Sequence, residues 1–203
     1  MNLQEATIKK LLEAKQVGII YHYTNLVGLR GILKTNSLEG KFNRICFTRD
    51  NNLFNFKDWS VSNDVKIIID GNLLSEKYQI YPYNSFNVRK EAEERINIKN
   101  IPELNKYVLG LEINGNTILK NFKKYNYEFQ RYDEWIKTIN NEEDLEYLQK
   151  QQVNIKNGID SHSIQDDEYL PFYDLKNKRF NYKKYYEDTI QKCIDLFGNV
   201  REV

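Results

Sequence analysis

The sequence predicts an α+β fold with a mostly helical C-terminal region. Residues 1–115 contain short apolar runs of strand length, bounded by Gly, Asn and Pro. From Ile118 to Ile136 the apolar residues instead recur at helical spacing. A chain of 203 residues is long enough to bury one substantial core. We therefore expect a single domain over residues 1–203, with a mixed α/β core at 1–115 and a mainly helical region at 116–203 packed on it.

The N-terminal half is expected to begin with a helix at residues 3–16, followed by a strand at 18–23. Thr24 or Asn25 is positioned to cap a helix at 26–35, whose apolar stripe is typical of an amphipathic helix. The remaining expectations for this half are strands at 44–48, 65–70 and 106–113, an extended segment at 78–83, an ordered loop or short helix at 50–63, and a segment at 89–98 that is either strand or helix.

Helices are predicted for most of the chain beyond residue 116. One long helix covers the stripe from Ile118 to Ile136, a charged helix spans 142–151, and a last helix spans about 183–197. Residues 153–181 show no clean period and are expected to be irregular. The sequence contains no internal repeat and no Ser/Pro-rich linker, which favours one domain.

Composition and charge exclude several classes of protein. With 30 basic and 29 acidic residues the net charge is +1, so no global field draws the protein to nucleic acid or to a membrane. The sequence has no apolar run that would span a bilayer and no signal-peptide hydrophobic region, so we expect a cytoplasmic protein. Cys46 and Cys193 are far apart and lie in apolar patterns, which predicts reduced, structural cysteines and no metal site.

The motif Tyr21-His22-Tyr23-Thr24 places chemically active side chains at the end of an apolar strand. Because side chains alternate along a strand, His22 and Thr24 share a face and can converge on one ligand. A neutral imidazole has one donor and one acceptor nitrogen, which suits the diol of a ribose. Both residues also have structural interpretations, His22 as a satisfied core residue and Thr24 as a helix N-cap.

The second motif is the carboxylate cluster Glu91-Ala92-Glu93-Glu94, which Arg95 follows. In a strand, Glu91 and Glu93 share one face while Ala92 and Glu94 take the other. Two carboxylates on one face raise the pKa of one of them, which is typical of an active site. In a helix, Glu91 and Arg95 instead form an i,i+4 pair on a solvated surface, the interpretation that composition alone favours.

The third motif is Arg49, which follows the strand-like Phe47-Thr48 and precedes Asp50. The planar guanidinium of an arginine at a strand end can hold a pyrophosphate. The alternative is a local ion pair within the Thr-Arg-Asp turn. The sequence has no glycine-rich phosphate loop of the Walker or dinucleotide type, which excludes a Rossmann enzyme.

The order of these motifs resembles the ADP-ribosyltransferase superfamily. It is most similar to the DarT-type nucleic-acid ADP-ribosyltransferases and to related bacterial and phage transferases. The resemblance implies a split β-sheet core that binds NAD, the co-substrate, in the cleft between two small sheets. It covers roughly residues 18–113, and the matching segments are Tyr21-His22-Tyr23-Thr24-Asn25-Leu26, Gly31-Ile32-Leu33, Phe47-Thr48-Arg49, and Arg89 with Ala92-Glu93.

The resemblance also implies roles for individual residues. His22 would contact the NAD ribose, with Thr24 beside it. Glu93 would be the catalytic carboxylate, with Glu91 as its upstream partner. Glu94 competes with Glu93 for this role, because a shift of one residue exchanges the faces of a strand. The other expected NAD-binding residues are Tyr21, Tyr23, Thr48 and Arg49.

The expected function is therefore an NAD-dependent ADP-ribosyltransferase that modifies a macromolecule, either nucleic acid or protein. Small transferases of this type suggest a toxin, an antiphage effector or a viral modifier of host machinery, with an antitoxin or inhibitor protein as a partner. One alternative is an RNA 2′-phosphotransferase, although only two histidines in the chain argue against it. Another is a non-enzymatic binding module on a degenerate transferase scaffold.

Overall fold

The computed structural model describes residues 17–40, 42–51, 64–83, 93–159 and 168–203. Four predictions fall wholly or partly outside the described residues: the helix at 3–16, most of the segment at 50–63, the first part of the segment at 89–98, and residues 160–167 of the segment at 153–181.

The described residues form an α+β structure, as the sequence predicts. In chain order the strands are β1 (Ile19–Thr24), β2 (Ser37–Glu39), β3 (Ile45–Thr48), β4 (Val65–Asp70), β5 (Tyr81–Tyr83), β6 (Glu93–Ile96), β7 (Asn100–Pro102), β8 (Val108–Ile113), β9 (Tyr173–Asp174), β10 (Arg179–Phe180) and β11 (Val200–Glu202). The helices are α1 (Leu26–Thr35), α2 (Gly71–Lys77), α3 (Gly115–Tyr125), α4 (Tyr127–Thr138), α5 (Glu142–Lys156) and α6 (Tyr182–Phe197).

Two compact units make up the chain. The sheet unit contains the residues up to Ile118 and those from Lys192 onward, and the helical unit contains Leu119–Gln191. Among the described residues, no helix has both the length and the apolar character that crossing a membrane requires.

One seven-stranded mixed sheet organises the sheet unit, in the order β11-β8-β4-β1-β3-β6-β5. Neighbouring strands are antiparallel except β11, which runs parallel to β8 at one edge. Strands β2 and β7 form a separate antiparallel pair. The strand at the C-terminus was not expected from the sequence, which predicts only the helix before it.

The core of the sheet unit forms because apolar side chains at alternate positions of the central strands point to the same face. Ile20 of β1 pairs with Ile69 of β4, and both are fully buried, as is Ile67 two positions along. Burying an Ile or Leu side chain contributes about 1.5–3 kcal/mol relative to leaving it exposed. Leu26 and Leu29 of α1 are buried as well, so the amphipathic stripe predicted for this helix is confirmed.

Helix α1 has the boundaries that the sequence predicts. Asn25, in extended backbone, caps it by accepting a hydrogen bond from the Gly28 backbone N–H at 2.8 Å. This satisfies one of the N–H groups that the first turn leaves without an intrahelical partner. The helix ends at Asn36, which has φ of 47°, a left-handed conformation that asparagine tolerates better than most residues.

The helical unit is built around an aromatic core. Phe129 of α4 lies 4.7 Å from Phe180 and 5.0 Å from Phe122 between ring centroids. The prediction of a single helix over 118–136 is wrong, because the structure divides this segment into α3 and α4 at Asn126. The Asn126 side chain caps α4 by accepting from the Phe129 N–H at 3.0 Å, and it donates to the Tyr169 hydroxyl at 3.1 Å.

Candidate functional site

The three motifs of the sequence lie on strands that are neighbours in the sheet. β3 lies between β1, which carries His22, and β6, which carries the glutamate pair. Tyr21 pairs with Thr48, and Thr48 pairs with Glu93. Residues that pair directly across antiparallel strands belong to the same face of a sheet. Tyr21, Thr48 and Glu93 therefore form one row across the three strands, which we call the Tyr21 row.

The adjacent row, on the opposite face, contains His22, Phe47 and Glu94, and we call it the His22 row. Phe47 pairs with Glu94 on one side. On the other side the imidazole of His22 meets the ring of Phe47 edge-on, with 6.1 Å between centroids. The register thus assigns Glu94, rather than Glu93, to the sheet face of His22.

His22 is held in one orientation by the backbone of β3. Its Nδ1 lies 3.0 Å from the Cys46 carbonyl oxygen, which can only accept, so Nδ1 donates and carries the proton. Burial lowers the pKa of His22 below its ordinary value, against the smaller raising effect of this hydrogen bond. The imidazole is therefore neutral at pH 7, with Nε2 as an acceptor suited to a hydroxyl group.

An ion pair links the second and third motifs. The Nε of Arg49 donates to the Oε1 of Glu94. The Glu94 side chain is only 11% exposed, whereas that of Arg49 is 47% exposed. The guanidinium therefore balances a carboxylate inside the sheet while part of it remains accessible to solvent. The alternative of a local ion pair between Arg49 and Asp50 is replaced by a turn, in which the Asp50 N–H donates to the Thr48 hydroxyl at 3.0 Å.

Thr24 lies against the first turn of α1. A Cβ placed on Gly28 would lie 2.2 Å from the Thr24 hydroxyl oxygen, so the helix approaches this side chain closely because Gly28 has none. Asn25, not Thr24, provides the cap. Thr24 is two positions from His22 in β1 and so shares its face, as the sequence predicts.

The Tyr21 row lies on a polar face of the sheet. Lys66 of β4 is 6% exposed, forms an ion pair with Glu112 of β8, and has its Nζ 5.4 Å from the centroid of the Tyr21 ring. The Tyr23 hydroxyl donates to the Asp50 carbonyl oxygen at 3.2 Å. Sequence reasoning missed Lys66 and Glu112, although each is a charged residue flanked by apolar residues in its strand.

The predicted site residues are thus divided between two faces. His22, Thr24 and Arg49 lie with Glu94, while Tyr21, Tyr23 and Thr48 lie with Glu93. Glu93 is placed by its backbone pairing alone, and Glu91 lies outside the described residues.

No protein-family model matches this sequence, and no curated protein matches it either. Within the part of the chain that the structure describes, no group of three or more His, Cys, Asp and Glu side chains is arranged to hold a metal ion. The His22 face also carries the buried Ile20 and Ile67, and the polar groups that it offers are a neutral imidazole acceptor, a carboxylate and a half-exposed guanidinium.

Proposed function

We propose that the protein is an NAD-dependent ADP-ribosyltransferase that modifies a macromolecule, either nucleic acid or protein. One observation carries the proposal: three motifs distant in the sequence meet on adjacent strands. His22 lies on β1, Arg49 directly follows β3, and Glu94 lies on β6 in contact with Arg49. The resemblance to the ADP-ribosyltransferase superfamily assigns these three motifs to one NAD site, and their adjacency supports that assignment.

The residues of the His22 face suit the transfer of a pentosyl group. The bond between nicotinamide and ribose breaks with its electron pair going to nicotinamide, which leaves an oxocarbenium-like ribose. The carboxylate of Glu94 stabilises this cation, an interaction stronger in the transition state than in the ground state. A nucleophile of the acceptor then bonds to the ribose carbon and loses its proton to a nearby base.

The other two groups bind rather than react. The Nε2 of His22 accepts a hydrogen bond from a ribose hydroxyl, because Nδ1 is already used on the Cys46 carbonyl. Arg49 donates one N–H to Glu94 and is half exposed, so its terminal nitrogens are suited to the NAD pyrophosphate.

The register favours Glu94 as the carboxylate that acts with His22. Glu93, with Glu91 as its upstream partner, stays the predicted catalytic residue for a cleft on the opposite face, where Tyr21, Tyr23 and Thr48 would contact NAD. The two possibilities differ in which of two consecutive glutamates is essential, so a pair of substitutions separates them.

The proposed biological setting is that of a cytoplasmic toxin, antiphage effector or viral modifier of host machinery, kept in check by an antitoxin or inhibitor protein. The test is incubation of the full chain with cell lysate and NAD labelled on the adenylate phosphate. We expect label in macromolecules, and digestion with nuclease or protease identifies the acceptor class.

Two other results would point to the alternatives. Removal of a 2′-phosphate from RNA in the presence of NAD would indicate a phosphotransferase. If no product is labelled and NAD does not raise the melting temperature, the binding-module interpretation replaces the transferase.

A further inference from the structure

The helical unit contains a cavity of about 630 Å³ at the β9–β10 hairpin and the start of α6. This volume lies within the range of small-molecule sites and is large enough for a nucleotide. Basic side chains predominate in its lining, and they come from α3, α4, β10, α6 and the hairpin turn: Lys123, Lys137, Lys178, Arg179 and Lys183.

The two carboxylates of the lining are occupied by groups of the protein itself. Asp133 forms an ion pair with Lys137 and accepts a hydrogen bond from the Tyr173 hydroxyl at 2.8 Å. Asp174 accepts from the backbone and side-chain nitrogens of Asn177, at 3.2 and 2.7 Å, and these hydrogen bonds lower its pKa. Asp174 keeps its negative charge and lies directly opposite Arg179 in the β9–β10 pair, so it offsets part of the positive charge of a lining that holds five cations and two carboxylates.

Three cations of the lining form no ion pair with a carboxylate of the described residues. Lys178 donates to neutral oxygens, the Lys137 carbonyl at 3.3 Å and the Asn140 side chain at 2.7 Å. Lys123 lies over the ring of Tyr182, 4.0 Å from its centroid. Arg179 is exposed, and among the described residues no carboxylate forms an ion pair with it. Lys183 has only an exposed, weak pair with Glu187 at 3.7 Å.

The start of α6 adds to this positive field. Asn181 caps the helix by accepting from the Lys184 N–H at 3.0 Å, and Asn181, Tyr182 and Lys183 all line the cavity. A helix N-terminus carries a partial positive charge and presents unpaired N–H groups. Cations from several elements, an arginine fork and this N-terminus together form a site whose chemistry matches phosphate rather than a neutral ligand.

We propose that this cavity binds the phosphate groups of a nucleotide or of a nucleic-acid strand. The positive charge is local, because the whole chain has a net charge of only +1. The ring of Tyr182 lines the cavity and carries Lys123 over it, so a cation–π contact holds this ammonium group at the cavity. The site lies wholly in the helical unit and does not depend on the proposed transferase activity.

The test measures binding of a short fluorescein-labelled single-stranded oligonucleotide to the full chain by anisotropy, over a series of salt concentrations. The informative variant is Lys123→Gln/Arg179→Gln, since both side chains are exposed. The matched control is Lys150→Gln, an exposed lysine of α5 that does not line the cavity. Circular dichroism and the melting temperature check the fold of all three proteins.

We expect the wild type and the Lys150 variant to bind with the same salt dependence. The double variant should bind more weakly, with a slope of log K against log salt reduced by about 1.4, since each cation that contacts a single strand contributes about 0.7. Competition with ADP and inorganic phosphate distinguishes the source of the phosphate. Displacement by ADP indicates a free nucleotide, whereas displacement only by unlabelled oligonucleotide indicates a strand.

Three results would overturn the proposal: no binding of the labelled oligonucleotide, equal displacement by polyglutamate, or a double variant that binds like the lysine control. Failure of this site is distinguishable from failure of the transferase proposal. A Glu94→Gln protein should still bind the oligonucleotide, and the Lys123/Arg179 variant should keep the thermal shift that NAD produces.

Discussion

Replacing Glu94 by Gln should abolish transfer while leaving the protein folded. Glutamine has the volume of glutamate and keeps the Oε1 acceptor that receives the Arg49 N–H, so the hydrogen bond survives and only the charge is removed. Because Arg49 is 47% exposed, solvent already screens much of the electrostatic attraction. We expect the free energy of unfolding to fall by about 0.5–1.5 kcal/mol.

The expected effect on the reaction is much larger. Removing one group that stabilises charge in the transition state typically costs about 100- to 1000-fold in kcat. A domain with at least ~5 kcal/mol of stability remains almost entirely folded after losing about 1 kcal/mol, so unfolding cannot account for such a loss. NAD binding should change little, because the lost interaction belongs to the transition state.

The assay is the rate of label transfer from NAD at saturating concentration, with thermal melts in parallel. Glu93→Gln is the matched control, since it makes the same chemical change one residue away in the same strand. If Glu93→Gln abolishes transfer and Glu94→Gln does not, the active face is that of Tyr21 and Thr48. If transfer is observed and neither substitution slows it, neither glutamate is the catalytic carboxylate and the assignment of the site to β6 fails.

Three further predictions concern the stability of the folded protein. Gly28→Ala should lower the free energy of unfolding by about 1–3 kcal/mol, because the new methyl group would overlap the Thr24 hydroxyl at the end of β1. Gly31→Ala, with open space around it, should instead raise the free energy of unfolding by about 0.5–1 kcal/mol. Urea denaturation measures both changes. Burial lowers the pKa of His22, so the unfolded chain binds more protons than the folded chain does. The stability of the wild type should therefore fall as the pH drops below about 6.5. In denaturation curves at several pH values, His22→Gln should lack this pH-dependent loss of stability. Phe129→Ala should cost about 3–5 kcal/mol, since the ring is 2% exposed, whereas Tyr127→Ala, at 71% exposure on the same helix, should change the melting temperature little.

The sequence alone predicted the elements whose boundaries are set by residues adjacent to them in the chain. Helix α1 is an example, because its cap and its apolar stripe are both contained in one short segment. Strands β4 and β8 were also expected, since each is an apolar run that ends at a turn signal. These signals act within a few residues, so they do not require knowledge of the tertiary structure.

Other elements depend on partners distant in the sequence. The three-residue strands β2 and β7 are too short for a period, and each forms because the other pairs with it. Helix α2 was missed because Gly71 after β4 indicates a turn, while in the structure Asp70 caps a helix there by accepting from the Leu73 N–H at 3.0 Å. The break between α3 and α4 follows from the bonds of Asn126 to a residue far along the chain, which an uninterrupted apolar stripe conceals.

The candidate site shows most clearly what periodicity leaves undetermined. Alternation fixes that Glu93 and Glu94 occupy opposite faces, but not which of them shares the face of His22. That choice is set by the registers of β1 with β3 and of β3 with β6, namely Tyr21 opposite Thr48 and Thr48 opposite Glu93. A shift of one residue in either register would exchange the two glutamates, because the period of a strand is two. The Arg49–Glu94 ion pair is consistent with this register, since it lies on the face to which the pairing assigns Glu94. The relative activities of the two Gln variants therefore test the strand register and the catalytic assignment in the same experiment.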